Sequence, residues 1–300
     1  MDSTMASKKR LIILSLLFLL GIGFLLWQQY GNKVCSFFAK PLAELSLEQK
    51  QNILSQHIPA DAEIVLFLDA SLVSENHLAK FDFFPQDKEW VKTFFHEMNM
   101  QKGMLASIGK INSSGKLEFA HLLLGDVNEK TFREHLLKTF STDLVFEQTE
   151  EKGFRWNTIK DDDAAYELGF SFSESEKPYQ LLAFGTKALA RQMLETKTHE
   201  KFAPNNSRLY GYVNPSERLL SLLPAEFSSL QKISLKDESG MLNVLFSFSD
   251  KSKMEAARLY LSGLKTLFSL RQSAPNTWFQ HLDKVELKAE GTNLLACFPL

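Results

Sequence analysis

The sequence predicts an α+β protein, in which an N-terminal transmembrane helix precedes two ferredoxin-like (split βαβ) halves with antiparallel sheets. Three observations lead to this prediction. The segment Leu11–Trp27 contains no charged side chain. Apolar strands and amphipathic helices alternate along the rest of the chain. The order strand, helix, hairpin, helix, strand, which is that of the split βαβ unit, occurs there twice.

The apolar run near the N-terminus is long enough to anchor the chain in a membrane. Extended to residue 30 it spans about 30 Å as a helix, which matches the hydrocarbon core of a bilayer. No small residues follow it at the spacing of a signal-peptidase site, so an uncleaved anchor at 11–30 is favoured over a removed signal peptide. Arg10, Trp27 and Tyr30 are typical of the membrane interface.

Basic residues set the predicted orientation of this anchor. Lys8, Lys9 and Arg10 precede the apolar run, whereas Lys33 and Lys40 are sparser behind it. We therefore expect a single-pass protein with its N-terminus in the cytoplasm and its body outside, in the periplasm if the cell is Gram-negative. The predicted divisions are a cytoplasmic end at 1–10, the anchor at 11–30, a tether with a short helix at 31–57, a first α+β half at 58–161 and a second at 162–300.

Local patterns predict the elements of the first half. Ser46 and Gln49 fit a capping box that opens a short helix, and the apolar segment Glu63–Asp69 indicates a central strand. The remaining predictions are a helix at 88–99, a hairpin that turns at 112–115, an amphipathic helix at 129–140 and a hairpin that turns at 150–153.

The second half repeats much of this plan. Its predicted elements are a hairpin at 166–184, a helix at 187–196, a strand at 208–213, a helix at 215–223, strands at 230–236 and 241–248, a helix at 251–270 and a closing hairpin at 285–298. Ser114–Phe119 aligns with Ser239–Val244, and Leu124–Asp126 with Phe248–Asp250, each pair leading into a helix. This alignment indicates an internal duplication.

Two short sequence segments are similar to those of a family of bacterial single-pass membrane-anchored proteins. Ile58–Ala62 contains Pro-Ala-Asp-Ala before an apolar strand, as those proteins do after their single span, and Leu181–Leu189 resembles their strand-turn-helix phrase. Leu223-Pro224 and the closing helix and hairpin also look like theirs. The family is one of unknown function, so the resemblance implies architecture and location but no catalytic residue.

Composition argues against several classes of function. The net charge is −2, without a concentrated basic face, which disfavours nucleic-acid binding. Two cysteines, Cys35 and Cys297, make neither a disulfide framework nor a cysteine-built metal site. The sequence predicts no cofactor and no metal.

No motif in the chain has the spacing of a catalytic site. Gly109 and Gly115 are separated by five residues where a phosphate loop has four, so a polar hairpin turn is favoured. Ser-x-x-Lys pairs such as Ser107 and Lys110 have no accompanying partner motif. His121, in a strand, and His135, on the polar side of a helix, are predicted to be ordinary. We therefore expect no enzymatic activity.

The candidate interaction patch is the segment that contains Phe81, Phe83 and Phe84, three aromatic rings between two predicted elements. The alternative is a loop tucked against the sheet. We expect a non-enzymatic binding or scaffolding module at the cell envelope, with another envelope protein as the candidate partner. A carrier of a lipid or other apolar ligand, and a hydrolase that uses an unrecognised Ser or His, are the alternatives.

Overall fold

The computed structural model describes residues 42–74, 102–140, 145–160, 167–173, 179–197, 207–238, 240–270 and 284–299. The predicted anchor with Arg10, Trp27 and Tyr30, the predicted helix at 88–99 and the patch of Phe81, Phe83 and Phe84 lie outside these residues. Among the helices that are described, none combines the length and the apolar character needed to cross a bilayer.

Twelve strands of the described chain form one sheet. Each adjacent pair is antiparallel, so the predicted α+β class and antiparallel pairing are confirmed. The strands are β1 (Ile64–Asp69), β2 (Met104–Ile111), β3 (Leu117–Gly125), β4 (Val145–Glu151), β5 (Phe154–Lys160), β6 (Leu168–Phe172), β7 (Gln180–Thr186), β8 (Leu209–Val213), β9 (Leu230–Glu238), β10 (Met241–Phe248), β11 (Glu286–Glu290) and β12 (Asn293–Pro299). Their order across the sheet is β11-β12-β10-β9-β8-β1-β2-β3-β7-β6-β5-β4.

Five of the six described α-helices are close to their predicted positions, whereas the short helix at Ser71–Ser74 was not predicted. The six are α1 (Leu47–Ser55), α2 (Ser71–Ser74), α3 (Glu129–Phe140), α4 (Lys187–Glu195), α5 (Glu217–Ser221) and α6 (Lys251–Leu270), with 3-10 turns at Leu42–Glu44 and Ala225–Phe227. The capping box before α1 is confirmed: the Gln49 N–H donates to Ser46 Oγ over 3.2 Å, and the Ser46 N–H donates to Gln49 Oε1 over 2.9 Å. These bonds satisfy two backbone donors that the helix cannot pair internally.

The strand order differs from the ferredoxin-like prediction. A split βαβ unit holds a third strand between two parallel strands. Here β1 pairs directly and antiparallel with β2, and β8 pairs in the same way with β9. The predicted ferredoxin-like order is therefore wrong for the described strands. Each half begins instead as a meander, because strands that follow one another along the chain usually become neighbours in a sheet.

The two parts of the chain nevertheless share one order of elements. The meanders β1-β2-β3 and β8-β9-β10 are each followed by a helix, α3 or α6, and then by a hairpin. In the second half the hairpin adds β12 directly beside β10. In the first half β6 and β7 lie between β3 and β5, although they follow the predicted boundary at residue 161. The meanders meet where Leu66 of β1 lies opposite Gly211 of β8.

Helices cover the two faces of the sheet unequally. One face carries Phe67, and α1 and α4 cover it over the first half, with Leu54 and Met193 buried in its core. On the opposite face, α3 packs on the first half and α6 on the second. Of the described helices, none packs on the Phe67 side of β9, β10, β12 and β11. We call this surface, which includes Lys232, Ser234, Lys236, Leu245, Leu295 and Glu290, the open face.

Candidate functional site

A groove with a volume of about 310 Å³ lies on the open face. Its lining combines leucine residues with a phenol, a hydroxyl, an amide, an ammonium and a carboxylate, and the lining residues are Tyr210, Ser234, Leu235, Lys236, Glu238, Asn243, Leu245 and Leu295. The volume is at the lower end of the range for small-molecule sites. An apolar surface with a few polar groups of this kind can position a partner by hydrogen bonds while its leucines lose contact with water.

Strand alternation places the side chains of all these residues except Leu235 on one surface, and Leu235 borders the groove from within β9, since its side chain projects to the other face. In β9, Ile233 packs in the cluster beneath α6, so its neighbour Ser234 projects to the open face. The sheet register then extends this row across the strands, because Ser234 lies opposite Leu245 of β10 and Leu245 lies opposite Leu295 of β12. A row with polar and apolar members therefore crosses the groove.

The charged groups of β9 differ in their partners. Lys236 Nζ lies 2.8 Å from Glu238 Oε2, and both side chains are about half exposed. Lys232 Nζ lies 5.7 Å from the centre of the Tyr212 ring, a cation–π contact. Burial raises the pKa of Tyr210, and burial together with the neighbouring Tyr210 raises the pKa of Tyr212. Both phenols are therefore neutral hydrogen-bonding groups at neutral pH.

A serine and a histidine meet on the opposite face of the sheet. Ser107 of β2 lies opposite His121 of β3, and Ser107 Oγ is 2.8 Å from His121 Nδ1. The imidazole also contacts the Phe184 ring, with centroids 4.8 Å apart. Burial lowers the pKa of His121 from 6.5 to about 4. No sequence pattern indicates this pair, because its members are fourteen residues apart and are joined only by the hairpin register.

The surroundings of this pair lack other parts of a hydrolytic site. β2 and β3 each have strands on both sides, so the sheet uses the backbone N–H groups that an oxyanion hole would need. Lys110 lies on the other face, where its Nζ is 3.0 Å from both Asp61 Oδ2 and Gln192 Oε1. Residues three apart in a strand point to opposite faces, so Ser107 and Lys110 do not form a catalytic pair.

Two further sequence predictions have outcomes in the structure. The segment at 109–116 contains a hairpin turn, in which Asn112 Oδ1 accepts the N–H groups of Ser114 and Lys116, and this prediction is confirmed. The prediction for His135 is wrong, since its side chain is only 3% exposed, next to the buried Leu136 on α3. Over the described ranges, no three His, Cys, Asp or Glu side chains are grouped in a way that could hold a metal ion.

Comparison with known proteins does not assign the chain to a family. No family model matches the sequence, and neither the curated proteins nor the solved structures contain a significant match.

Proposed function

We propose that this chain is a membrane-anchored extracytoplasmic protein and that its body is a non-enzymatic binding or scaffolding module at the cell envelope. In this proposal residues 11–30 form the single span, the N-terminus is cytoplasmic, and the body binds its partner through the open face. The resemblance of 58–300 to anchored bacterial proteins supports the location. The open face supports the mode of action.

The observation that carries the proposal is the contrast between the two faces of the second half. α6 buries Met254 and Ala257 against one face, whereas no described helix covers the groove on the other. A sheet face that holds half-buried leucines among hydrogen-bonding side chains has the composition of a binding surface, in which an apolar centre is bordered by polar groups. The surface has no described nucleophile and base in contact, so binding without chemistry fits it best.

The test is site-specific photo-crosslinking of the full chain in native membranes. A photoreactive residue replaces Ser234 in the groove, and the matched control replaces Leu259, which is 59% exposed on α6. We expect a covalent adduct from position 234 and none from position 259. Absence of an adduct at 234, or equal adducts at both positions, would contradict binding through the open face.

A hydrolase is the second candidate, because Ser107 and His121 share a hydrogen bond. Such an enzyme would react with a fluorophosphonate at Ser107, and Ser107→Ala would abolish the labelling. We expect no labelling that depends on Ser107, because the described strands around it offer no oxyanion donor and the lowered pKa makes His121 a weak base. Stoichiometric labelling of Ser107 would favour the hydrolase instead.

A further inference from the structure

We propose that the partner of the open face is the open face of a second copy of this chain. This inference depends on the proposed function, since it names the partner of the same surface. It comes from the distribution of charged and apolar groups over β9, β10, β12 and β11, which are neighbours in that order in the sheet.

The two outer strands of this surface carry opposite net charge. On β9, the open-face positions 232, 236 and 238 are two lysines and one glutamate. On β11, positions 286, 288 and 290 are two glutamates and one lysine. Between these two charged strands, β10 and β12 contribute Leu245 and Leu295, which face each other in the register.

Ion pairs within one copy leave one charge of each sign over. Lys236 pairs with Glu238, and Lys288 Nζ lies 3.0 Å from Glu286 Oε2. Among the described residues, Lys232 and Glu290 have no ion-pair partner. The surface therefore offers a positive group at one border and a negative group at the other.

The sheet register aligns these two groups at one level of the sheet. Lys232 lies opposite Ser247, Ser247 lies opposite Asn293, and Asn293 lies opposite Glu290. The row that begins at Lys236 crosses the same strands and ends at Glu286. Each row thus runs from a lysine on β9 to a glutamate on β11.

A two-fold axis parallel to the strands, above the line between β10 and β12, matches this pattern with itself. The rotation lays β9 of one copy over β11 of the other and keeps each residue at its own level along the strands. Lys232 then faces Glu290 of the second copy, Lys236 faces Glu286, and Leu245 faces Leu295. An axis across the strands would instead place β9 over β9 and β11 over β11, so that strands of like net charge would face each other.

Two reversed-charge variants test this arrangement in the detergent-solubilised full chain. One carries Lys232→Glu and Lys236→Glu, and the other carries Glu286→Lys and Glu290→Lys. In a homodimer of either variant, β9 of each copy and β11 of the other carry like charges at the facing positions. We therefore expect the dimer dissociation constant to rise roughly tenfold or more above that of the unchanged chain. Light scattering over a concentration series measures this constant.

Mixing the two variants distinguishes a disrupted interface from a folding defect. When the two variants are combined, β9 of each chain again faces opposite charges on β11 of the other chain. We therefore expect a heterodimer as tight as the original homodimer. The matched control, Lys251→Glu with Lys253→Glu on exposed positions of α6, should dimerise as the unchanged chain does. A monomeric unchanged chain, or variants that still form homodimers, would overturn the inference.

The photo-crosslink at position 234 separates this inference from the proposed function. An adduct with the mass of two copies supports both. An adduct with a different molecule retains the proposed function and overturns the second copy as its partner. No adduct overturns both.

Discussion

At the scale of single residues, Lys50 and Asp69 form an ion pair in the interior between α1 and the end of β1. Lys50 Nζ is 3.1 Å from Asp69 Oδ2, and the two residues are 8% and 6% exposed. The other carboxylate oxygen of Asp69 accepts the Ser71 N–H over 3.0 Å. A buried ion pair is costly to desolvate, but removing one member leaves the other charge uncompensated.

Replacement of Lys50 alone should therefore cost more stability than replacement of the pair. We expect Lys50→Met to reduce the free energy of unfolding by about 3–5 kcal/mol. Lys50→Met combined with Asp69→Asn should recover a substantial part of this loss, because Asn still accepts the Ser71 N–H without a buried charge. Urea unfolding of both variants measures the difference, and additive losses would contradict this account of the pair.

His121 should make stability depend on pH in a defined window. Its folded pKa is about 4 and its ordinary value is 6.5, so between these values the unfolded chain binds a proton that the folded chain does not. The contribution of neutral His121 to the free energy of unfolding is fully present above pH 6.5 and is lost as the pH falls towards 4. His121→Gln should flatten that part of the urea-midpoint profile, and an unchanged slope would show that the His121 pKa is not lowered by folding.

At the scale of elements, local patterns were sufficient to predict most helices and strands. The hairpin of β2 and β3 follows from alternating apolar residues around a polar turn, and α6 follows from apolar residues at helical spacing. The predicted bounds of α3, β10 and α6 agree with the structure. Burial of His135 was missed because residue spacing identifies the apolar stripe of a helix, whereas burial of a polar residue beside that stripe depends on the tertiary packing around the helix.

Gly211 determines how closely β1 and β8 approach. A Cβ there would lie 2.6 Å from the Val65 carbonyl oxygen and 3.2 Å from Leu66 Cα, both backbone atoms that cannot rotate away. We expect Gly211→Ala to destabilise the chain by about 1–3 kcal/mol.

The same substitution at Gly263 is the matched control for Gly211. Gly263 lies within α6 and has no atom near an added Cβ. Gly263→Ala should stabilise the protein by about 0.5–1 kcal/mol, because alanine loses less backbone freedom in a helix. Equal effects at the two positions in thermal or urea unfolding would refute close packing at the join of the two meanders.

At the scale of the whole molecule, strand order could not be predicted from local patterns. The placement of β6 and β7 between β3 and β5 depends on pairing between residues far apart in sequence, such as Leu122 with Ala183. The open face was also not identified. Alternation of Lys232, Ser234 and Lys236 with apolar residues is what any solvent-facing strand shows, and only the register aligns it with Glu286 and Glu290.

The structure also places α1 within the body, although 31–57 was predicted as a tether with a short helix. Leu54 is fully buried, and Gln51 Nε2 donates to the Ser207 carbonyl oxygen over 3.0 Å. We expect a chain that begins at residue 42 to be more stable than one that begins at residue 58 by more than about 3 kcal/mol, the typical cost of losing a large buried side chain. Equal urea midpoints for the two truncations would contradict a structural role for α1.

The central claim, that a second copy covers the open face, is tested most directly by labelling a cysteine at position 234 in native membranes. The background carries Cys35→Ser and Cys297→Ser, and Leu259→Cys on α6 is the exposed reference. We predict slow maleimide labelling of Ser234→Cys, rapid labelling of Leu259→Cys, and acceleration of the former when Lys232→Glu and Lys236→Glu are added. Labelling of position 234 as fast as position 259 in native membranes would contradict the claim.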